Sequence, residues 1–215
     1  MRHCSVIALV AALLAWAGPG LTHPHAFVDV GLRFETGEDG RIAAVEVTWA
    51  YDDFFSLLIL EDMALDGDGD GALTEAERAR LEGFDLDNWP EDYAGDLHLE
   101  KAGAPVALGP PRADGVRLAE GRIVSRHRRA LETPVAAADL VIRAYDPTYF
   151  IAYTLKPHAI ELPGACLPEV EPADREAAQE RLRDAVEQEE VTEQSYEMLQ
   201  VGAWYADTVR VTCGG

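Results

Sequence analysis

The chain has 215 residues, of which 39 are acidic and 18 are basic, and its formal net charge is −21. This charge repels nucleic-acid phosphates and anionic lipid head groups, so both are poor partners and cations are better ones. An apolar content of 48% supports a proper core, and the length fits one domain with a small appendage.

Residues 1–22 have the pattern of a secretory signal peptide. Arg2 precedes an apolar run and a group of small residues, and cleavage is expected after Ala17 or after Thr22. The run is shorter than the ~20 apolar residues that span a bilayer, so no membrane insertion is expected after cleavage. Removal of this segment leaves 17 basic against 39 acidic residues, a balance of −22. We therefore expect an exported protein.

Most of residues 23–165 is predicted to form an antiparallel, sandwich-like β domain. Apolar and polar residues alternate from 26 to 34, and further short strand patterns are separated by turn signals at 37–40, Ala102-Gly103 and Glu120-Gly121. Alternation stops between 52 and 83, where two helical patterns flank an acid–glycine run. The fold class is therefore mainly β, with an inserted helix–loop–helix.

The C-terminal residues 166–215 are predicted to form a helical tail and a last strand. Cys4 is removed with the signal segment, so Cys166 and Cys213 remain as a pair in an oxidising compartment. A disulfide between them would tie the tail back to the sheet and stabilise the fold by about 4 kcal/mol. Two unpaired thiols are the alternative.

The inserted run "DGDGDGALTEAE", residues 66–77, has the spacing of an EF-hand calcium loop. Gly71 occupies the sixth position, where the loop turns sharply. Six positions offer the oxygen ligands that calcium prefers: Asp66, Asp68, Asp70, Ala72 through its carbonyl, Thr74 through a water, and Glu77 with both carboxylate oxygens. A solvated acidic turn is the alternative. Because the loop is single, we expect calcium to fix local structure rather than act as a signal.

The stretch "HPHAFVD" places His23 and His25 two residues apart. Alternate residues of an extended chain point the same way and lie ~7 Å apart, so both imidazoles can reach one metal. Zinc, nickel, cobalt and copper favour imidazole and would need further ligands. Asp29 shares this face, but ~13 Å separates it from His25 unless the chain bends. The alternative is an ordinary pair of surface histidines.

The remaining histidines are weaker candidates. His98 is predicted to be exposed, His127 lies among arginines that disfavour a cation, and His158 is expected to pack in the core. Among the acids, Asp52 and Asp53 are predicted to cap a helix, and Asp146 to start a turn before Pro147. No arrangement of nucleophile and base, and no phosphate-binding glycine loop, is present in the sequence. We therefore do not expect an enzyme.

Four motifs in order, "HPHAFVD", "VTWAYDDFFS", "DGDGDG" and "YDPTYF", resemble a family of bacterial periplasmic proteins with a domain of unknown function. The family is associated with NicO-type nickel/cobalt permeases and with zinc uptake of the Zev type. The resemblance implies a periplasmic accessory that binds zinc, nickel or cobalt and delivers it to a membrane permease. It raises the expectation of a metal site at His23 and His25.

The resemblance also marks six further positions: Asp29, Asp52, Asp53, Ser56, Asp146 and Tyr149. Of these, Asp29, Asp52 and Asp146 are possible additional metal ligands. The chain departs from usual periplasmic metal receptors, because it has neither a long His/Asp-rich loop nor a two-lobed α/β pattern. The alternative function is a calcium-stabilised periplasmic structural or protein-binding module without a transition-metal role.

Overall fold

The computed structural model describes residues 24–86, 89, 93, 95–188 and 199–214. The predicted signal segment and His23 lie outside the described residues. The helices are α1 (Asp53–Asp62), α2 (Glu75–Leu81) and α3 (Arg175–Gln188), with a 3-10 turn at Gly202–Trp204. The strands are β1 (Ala26–Thr36), β2 (Ile42–Tyr51), β3 (Leu97–Lys101), β4 (Ala104–Pro105), β5 (Arg112–Ala119), β6 (Arg122–Val135), β7 (Leu140–Ala144), β8 (Ile151–Glu161), β9 (Cys166–Glu171) and β10 (Thr208–Cys213).

The strands form two five-stranded sheets, which confirms the mainly β fold class. The first sheet has the order β5-β6-β2-β1-β8, and the second has the order β4-β3-β7-β10-β9. The turns predicted at Ala102-Gly103 and Glu120-Gly121 join β3 to β4 and β5 to β6, and all four residues have positive φ. Such φ values are typical of the tight turns whose twist matches a hairpin.

The first sheet is mixed rather than wholly antiparallel. β1 pairs antiparallel with β2 and parallel with β8, where Val28 lies opposite Tyr153. A parallel pair needs a long crossover connection, and here every element from β2 to β7 lies between the two strands. Local alternation does not report such a long-range pairing, so the expectation of antiparallel strands was wrong at this pair.

One apolar core lies between the sheets. The alternate residues of β1 from Ala26 to Phe34 are at most 5% exposed, as their period-two pattern predicts. Inward residues of the second sheet, such as Ile142 and Val209, belong to the same buried cluster. The two sheets therefore stabilise each other through shared burial of apolar surface.

The inserted helices lie between β2 and β3, as predicted. Asp52 caps α1 by accepting a hydrogen bond from the Phe55 amide at 2.9 Å. Thr74 and Glu77 form a reciprocal capping box at the start of α2. α1 leaves the apolar side chains of Phe54, Leu57 and Leu58 exposed.

The C-terminal segment contributes two strands to the second sheet, one more than the sequence predicted. β9 pairs antiparallel with β10, and Cys166 lies opposite Cys213. The predicted disulfide joins these two residues. α3 belongs to the connection between the two strands and packs through Ala178 and Leu182 on a separate small cluster. None of the helices in the described part of the chain is both long enough and apolar enough to cross a bilayer.

Candidate functional site

The acidic loop, residues 66–77, brings three carboxylates together. Oxygen atoms of Asp66, Asp68 and Asp70 all lie within 4.8 Å of one another. Gly71 has φ +75°, a conformation that glycine adopts without strain, and its amide donates to the Asp66 carboxylate at 3.2 Å. This glycine therefore turns the chain so that the carboxylates converge.

One oxygen of Asp66 lacks a partner. Its Oδ1 is buried and has no hydrogen bond among the described residues, whereas Oδ2 accepts from the Gly71 amide. A buried carboxylate oxygen without a donor costs free energy unless a cation or a hydrogen bond satisfies it. An unsatisfied carboxylate oxygen beside two further carboxylates has the donor chemistry of a site for a hard cation.

Glu77, the last residue of the loop, already holds the loop closed. One of its carboxylate oxygens accepts from the Asp66 amide at 3.0 Å, and the other accepts from the Thr74 amide at 2.9 Å and from its hydroxyl. The hydrogen bonds from Thr74 are the main cause that lowers the pKa of Glu77. Glu77 is thus ionised at neutral pH and joins the two ends of the loop.

The connection between α1 and the acidic loop is not a continuous helix. α1 ends at Asp62, and both Ala64 and Asp66 have positive φ. Leu65 between them is 5% exposed and belongs to the core. The core therefore anchors the start of the loop through Leu65, while the helical hydrogen bonds have already ended.

His25 is exposed at the start of β1, and its ring lies 4.8 Å from the ring of Phe150. Its amide donates to the Phe150 carbonyl at 2.8 Å, so the backbone of His25 is fixed to the residue that precedes β8. His23, its predicted companion, lies outside the described residues.

Two exposed phenylalanines lie close to His25: the ring of Phe150 contacts its imidazole, and Phe27 follows it two residues along the chain. Phe27 and Phe150 are 53% and 44% exposed. The Phe27 amide donates a hydrogen bond to the Asp52 carboxylate, and the Phe27 carbonyl accepts one from the Asp52 amide. This places Phe27 beside the start of α1, whose second residue, Phe54, is 66% exposed. We call Phe27, Phe54 and Phe150 the apolar surface.

Asp29 is held by two cations. Its oxygens accept from Arg122 and from Lys156, each at 3.0 Å. Burial acts to raise the pKa of Asp29, but the hydrogen bonds and the positive charges of Lys156 and Arg122 together outweigh burial, so its pKa lies below the ordinary value. Arg122 also donates to the carbonyls of Tyr51 and Ala50. Asp29 therefore fastens β1 to its neighbours, and a metal would have to displace these cations.

The other predicted ligands and motif positions stabilise local structure. Asp52 caps α1, as predicted, and the hydroxyl of the fully buried Ser56 accepts from the Ile123 amide at 2.9 Å. Asp53 is exposed, with an oxygen 4.0 Å from Arg122. Ser56 thus fixes α1 to the beginning of β6.

Asp146 starts a turn before Pro147, as predicted. Its carboxylate accepts from the amides of Thr148 and Ile151, and its carbonyl accepts from the Tyr149 amide. Tyr149 has φ +65°, and its ring stacks on Tyr205 at 4.1 Å. Burial raises the pKa of the Tyr149 hydroxyl. This turn is therefore built by local hydrogen bonds and held in a strained conformation by ring packing.

Within the described ranges, the acidic loop is the one place where three or more His, Cys, Asp or Glu ligand atoms converge. His25, Asp29, Asp52 and Asp146 do not form such a group. His23 is outside the described ranges, so the predicted two-histidine site stays a prediction.

Two expectations about the other histidines were wrong. His158 is exposed rather than packed in the core, because it lies in the outward-facing stretch of β8 at residues 156–158. His98 is half-buried rather than exposed, since its ring stacks on Tyr145 at 3.8 Å. Burial is the main cause that lowers the pKa of His98.

His127 is 1% exposed and lies edge-on to Trp49 at 4.6 Å. Burial, with a smaller contribution from Arg129, lowers the pKa of His127 to about 3. The imidazole is therefore neutral at pH 7. Its Nδ1 has no hydrogen-bond partner among the described residues.

A half-open pocket lined by two carboxylates was not expected from the sequence. The interior pocket, a cavity of about 270 Å³, is bounded by aromatic and acidic side chains that include Trp49, Tyr51, Trp89, Tyr153, Asp85 and Asp96. The signal in the sequence was the alternation of β6, which turns Ser125, His127 and Arg129 inward. Polar residues at three successive inward positions of a strand mark a polar interior.

The comparison with protein families found one whose description is "protein of unknown function (DUF1007)", with a match over residues 8–213. The chain belongs to this family. Its matched span contains both histidines of "HPHAFVD", the acidic loop, the interior pocket and the two disulfide cysteines. No curated protein and no solved structure matches the chain.

Proposed function

We propose that this protein is a calcium-stabilised, exported accessory of a membrane transporter for zinc, nickel or cobalt. The acidic loop would bind calcium as a structural ion, and His23 with His25 would take the transition metal in the periplasm. The apolar surface would dock on a NicO-type permease. The protein would act by binding and delivery, without catalysis.

The observation that carries the calcium site is the buried, unpartnered Oδ1 of Asp66 beside two other carboxylates. Calcium takes six to eight oxygen ligands, and carboxylates, a backbone carbonyl and water can provide them. Asp66, Asp68 and Asp70 would hold the ion, with Ala72, Thr74 and Glu77 completing its shell. The ion would fix the loop between α1 and α2 and thereby the outer helices.

The support for metal delivery is the position of His25. It is exposed, its backbone is fixed to Phe150, and its ring lies against that of Phe150, one residue of the apolar surface. Exposed apolar patches on monomeric proteins mark interaction sites. A metal held at the histidines would therefore lie at the edge of a surface suited to another protein. The resemblance to partners of NicO-type permeases names the class of that protein.

The calcium site can be tested by unfolding. Calcium at a hundred times its dissociation constant should raise the free energy of unfolding of the wild type by about 2.7 kcal/mol. Asp66→Asn should abolish this gain, whereas Asp62→Asn, an exposed acid at the end of α1, should retain it. Equal stabilisation of both variants would exclude the loop as the site.

Delivery can be tested in cells that carry a NicO-type permease, with accumulation of zinc, nickel and cobalt as the readout. His23→Ala/His25→Ala should abolish the accumulation that depends on this protein. His158→Ala, which removes another exposed histidine, should leave it intact. Phe54→Ser should reduce accumulation, while Leu167→Ser, at an equally exposed apolar residue on β9, should not.

A second function is favoured by the roles of the predicted extra ligands. Asp29, Asp52 and Asp146 each stabilise a strand pairing, a helix start or a turn. On this account the protein is a calcium-stabilised structural or protein-binding module. Loss of partner binding in Phe54→Ser, with no effect of the histidine variant on any metal, would support it over metal delivery.

A further inference from the structure

A groove on the outer face of the first sheet concentrates positive charge in an otherwise acidic protein. It has a volume of about 510 Å³, and it is bounded by Arg78 from α2, Arg117 from β5 and Arg126 from β6. We call it the arginine groove. The chain has 39 acidic residues against 18 basic ones, so three arginines around one groove reverse the overall charge locally.

The acid in the arginine groove is paired with an arginine outside it. Glu46 is the one acid among the described residues that bound the groove. Its carboxylate accepts a hydrogen bond from Arg33 at 2.5 Å, and its side chain is 13% exposed. Within the described ranges, by contrast, the side chains of Arg78 and Arg117 form no ion pair. Glu46 therefore does not neutralise the arginines of the groove.

A β-bulge holds Arg126 at the groove. The register between β5 and β6 shifts between Ala113 and Val116, and Gly115 within the shift has φ +110°, which glycine adopts without strain. Arg126 donates a hydrogen bond to the Asp114 carbonyl at 2.9 Å, and the Asp114 carboxylate lies 4.0 Å from its guanidinium. A Cβ atom at Gly115 would lie 3.5 Å from the same nitrogen of Arg126. The bulge therefore fixes where Arg126 presents its charge, as bulges near functional sites commonly do.

The groove also offers uncharged contacts for a ligand. Thr48 lies opposite Arg126 in the register of β2 and β6 and lines the groove, and its hydroxyl can donate a hydrogen bond. Val116 and Val124, which are 6% and 7% exposed, form the apolar part of the lining. The volume of the groove lies in the range of small-molecule sites, which combine apolar contacts with a few polar groups.

The charge and size of the groove select a small anion. A guanidinium presents a planar fork of N–H donors that matches two oxygens of a carboxylate or a phosphate. The net charge of −21 repels large polyanions, but screening limits this repulsion to a range of about 8 Å at physiological salt. Close to the groove, its own arginines therefore determine the field that a small anion meets.

We propose that the arginine groove binds a small oxyanion with two negative charges, a dicarboxylate or a phosphate ester. Arg117 and Arg126 would hold its anionic oxygens, Arg78 would approach it from α2, and Thr48 would donate a further hydrogen bond. The two ligand classes share the chemistry of paired anionic oxygens. This site uses none of the ligands proposed for calcium or for a transition metal, so it stands or falls independently of the proposed function.

Calorimetric titration tests this proposal, with succinate and glycerol 3-phosphate as probes at constant ionic strength and with calcium present throughout. Succinamide and glycerol are the matched uncharged controls. At least one anion should bind saturably, and about tenfold or more tightly than its uncharged counterpart. Tighter binding of succinate would identify a dicarboxylate site, and tighter binding of glycerol 3-phosphate a phosphate-ester site. Failure of both anions to bind, or equal binding of each anion and its counterpart, would overturn the proposal.

Variants locate the site. Arg117→Gln and Arg126→Gln should each weaken binding of the anion about tenfold, and both replaced side chains are exposed, so the variants should fold. Arg183→Gln, at an exposed arginine on α3, should leave binding unchanged. Binding by the wild type should also weaken as the salt concentration rises. Undiminished binding in folded Arg117→Gln and Arg126→Gln would place the anion elsewhere and contradict the proposal.

Discussion

The Tyr153 hydroxyl donates a hydrogen bond to the Asp96 carboxylate at 2.5 Å and so links the two sheets. Tyr153 belongs to β8 in the first sheet, and Asp96 immediately precedes β3 in the second. Burial raises the pKa of Asp96 to about 6, although the hydroxyls of Tyr153 and Tyr93 act to lower it. The carboxylate that joins the sheets is therefore also a group that ionises at a cost to stability.

Asp96→Asn should change how stability depends on pH. The unfolded chain releases this proton near pH 3.8 and the folded chain near pH 6, so the folded state binds more protons between these values. Stability from this group therefore falls as the pH rises through the interval, by about 3 kcal/mol in total. Urea unfolding at several pH values should show that the variant lacks this decline. Asp62→Asn should retain it, and a decline of equal size in Asp96→Asn would contradict the assignment.

His127→Phe should have the opposite effect. The unfolded chain takes up a proton near pH 6.5, whereas burial of His127 delays uptake in the folded chain to about pH 3. The unfolded state therefore binds more protons between these values, and stability falls as the pH drops through them. Phenylalanine keeps a ring beside Trp49 but takes up no proton. The free energy of unfolding of the variant, compared with that of the wild type, should therefore be a few kcal/mol higher at pH 4 than at pH 7. Urea unfolding at several pH values measures this difference, with His158→Phe at an exposed histidine as the control. If stability depended on acidic pH in the variant as it does in the wild type, the prediction would be refuted.

Gly202→Ala should destabilise the turn that contains Asp146. A Cβ atom at Gly202 would lie 1.7 Å from the Asp146 carbonyl oxygen, so the turn and the 3-10 segment would have to separate. Overpacking of this kind costs about 1–3 kcal/mol. Thermal unfolding should show the loss in Gly202→Ala but not in Gly67→Ala, where a Cβ meets nothing within 4 Å. Equal melting temperatures for the two variants would show that the contact is not tight.

Arg122→Lys should cost more than Arg126→Lys. The Arg122 guanidinium reaches Asp29 and the carbonyls of Tyr51 and Ala50 with three separate nitrogens. A lysine ammonium cannot reproduce this fork, so we expect a loss of about 1 kcal/mol in the free energy of unfolding. Arg126 is exposed, and its replacement should change that free energy by less than about 0.5 kcal/mol. Identical losses would mean that the three hydrogen bonds of the Arg122 guanidinium stabilise the fold no more than its positive charge alone.

Local patterns were sufficient for much of the fold. The alternation of β1, the hairpin turn at Glu120-Gly121 and the capping of α1 by Asp52 all depend on residues close in sequence. The disulfide was predictable because Cys166 and Cys213 are the two cysteines that lie outside the predicted signal segment. Each of these features is determined by neighbours or by counting, and each was confirmed.

Long-range features were not predictable in the same way. The parallel pairing of β1 with β8 and the strand β9 depend on how distant segments meet. The interior pocket likewise needs Asp85, Asp96 and Tyr153 to come together from three segments. Each of these acids looks like a surface residue in so acidic a chain. Only the inward polar positions of β6 hinted at the pocket.

The central claim is that the chain has two separate metal sites. Calorimetric titration of the mature, tag-free protein with zinc, nickel and cobalt at saturating calcium tests it most directly. The account predicts a transition-metal site that is lost in His23→Ala/His25→Ala and kept in Asp66→Asn and His158→Ala. No heat with any of the three metals, or a site that is lost in Asp66→Asn instead, would contradict it.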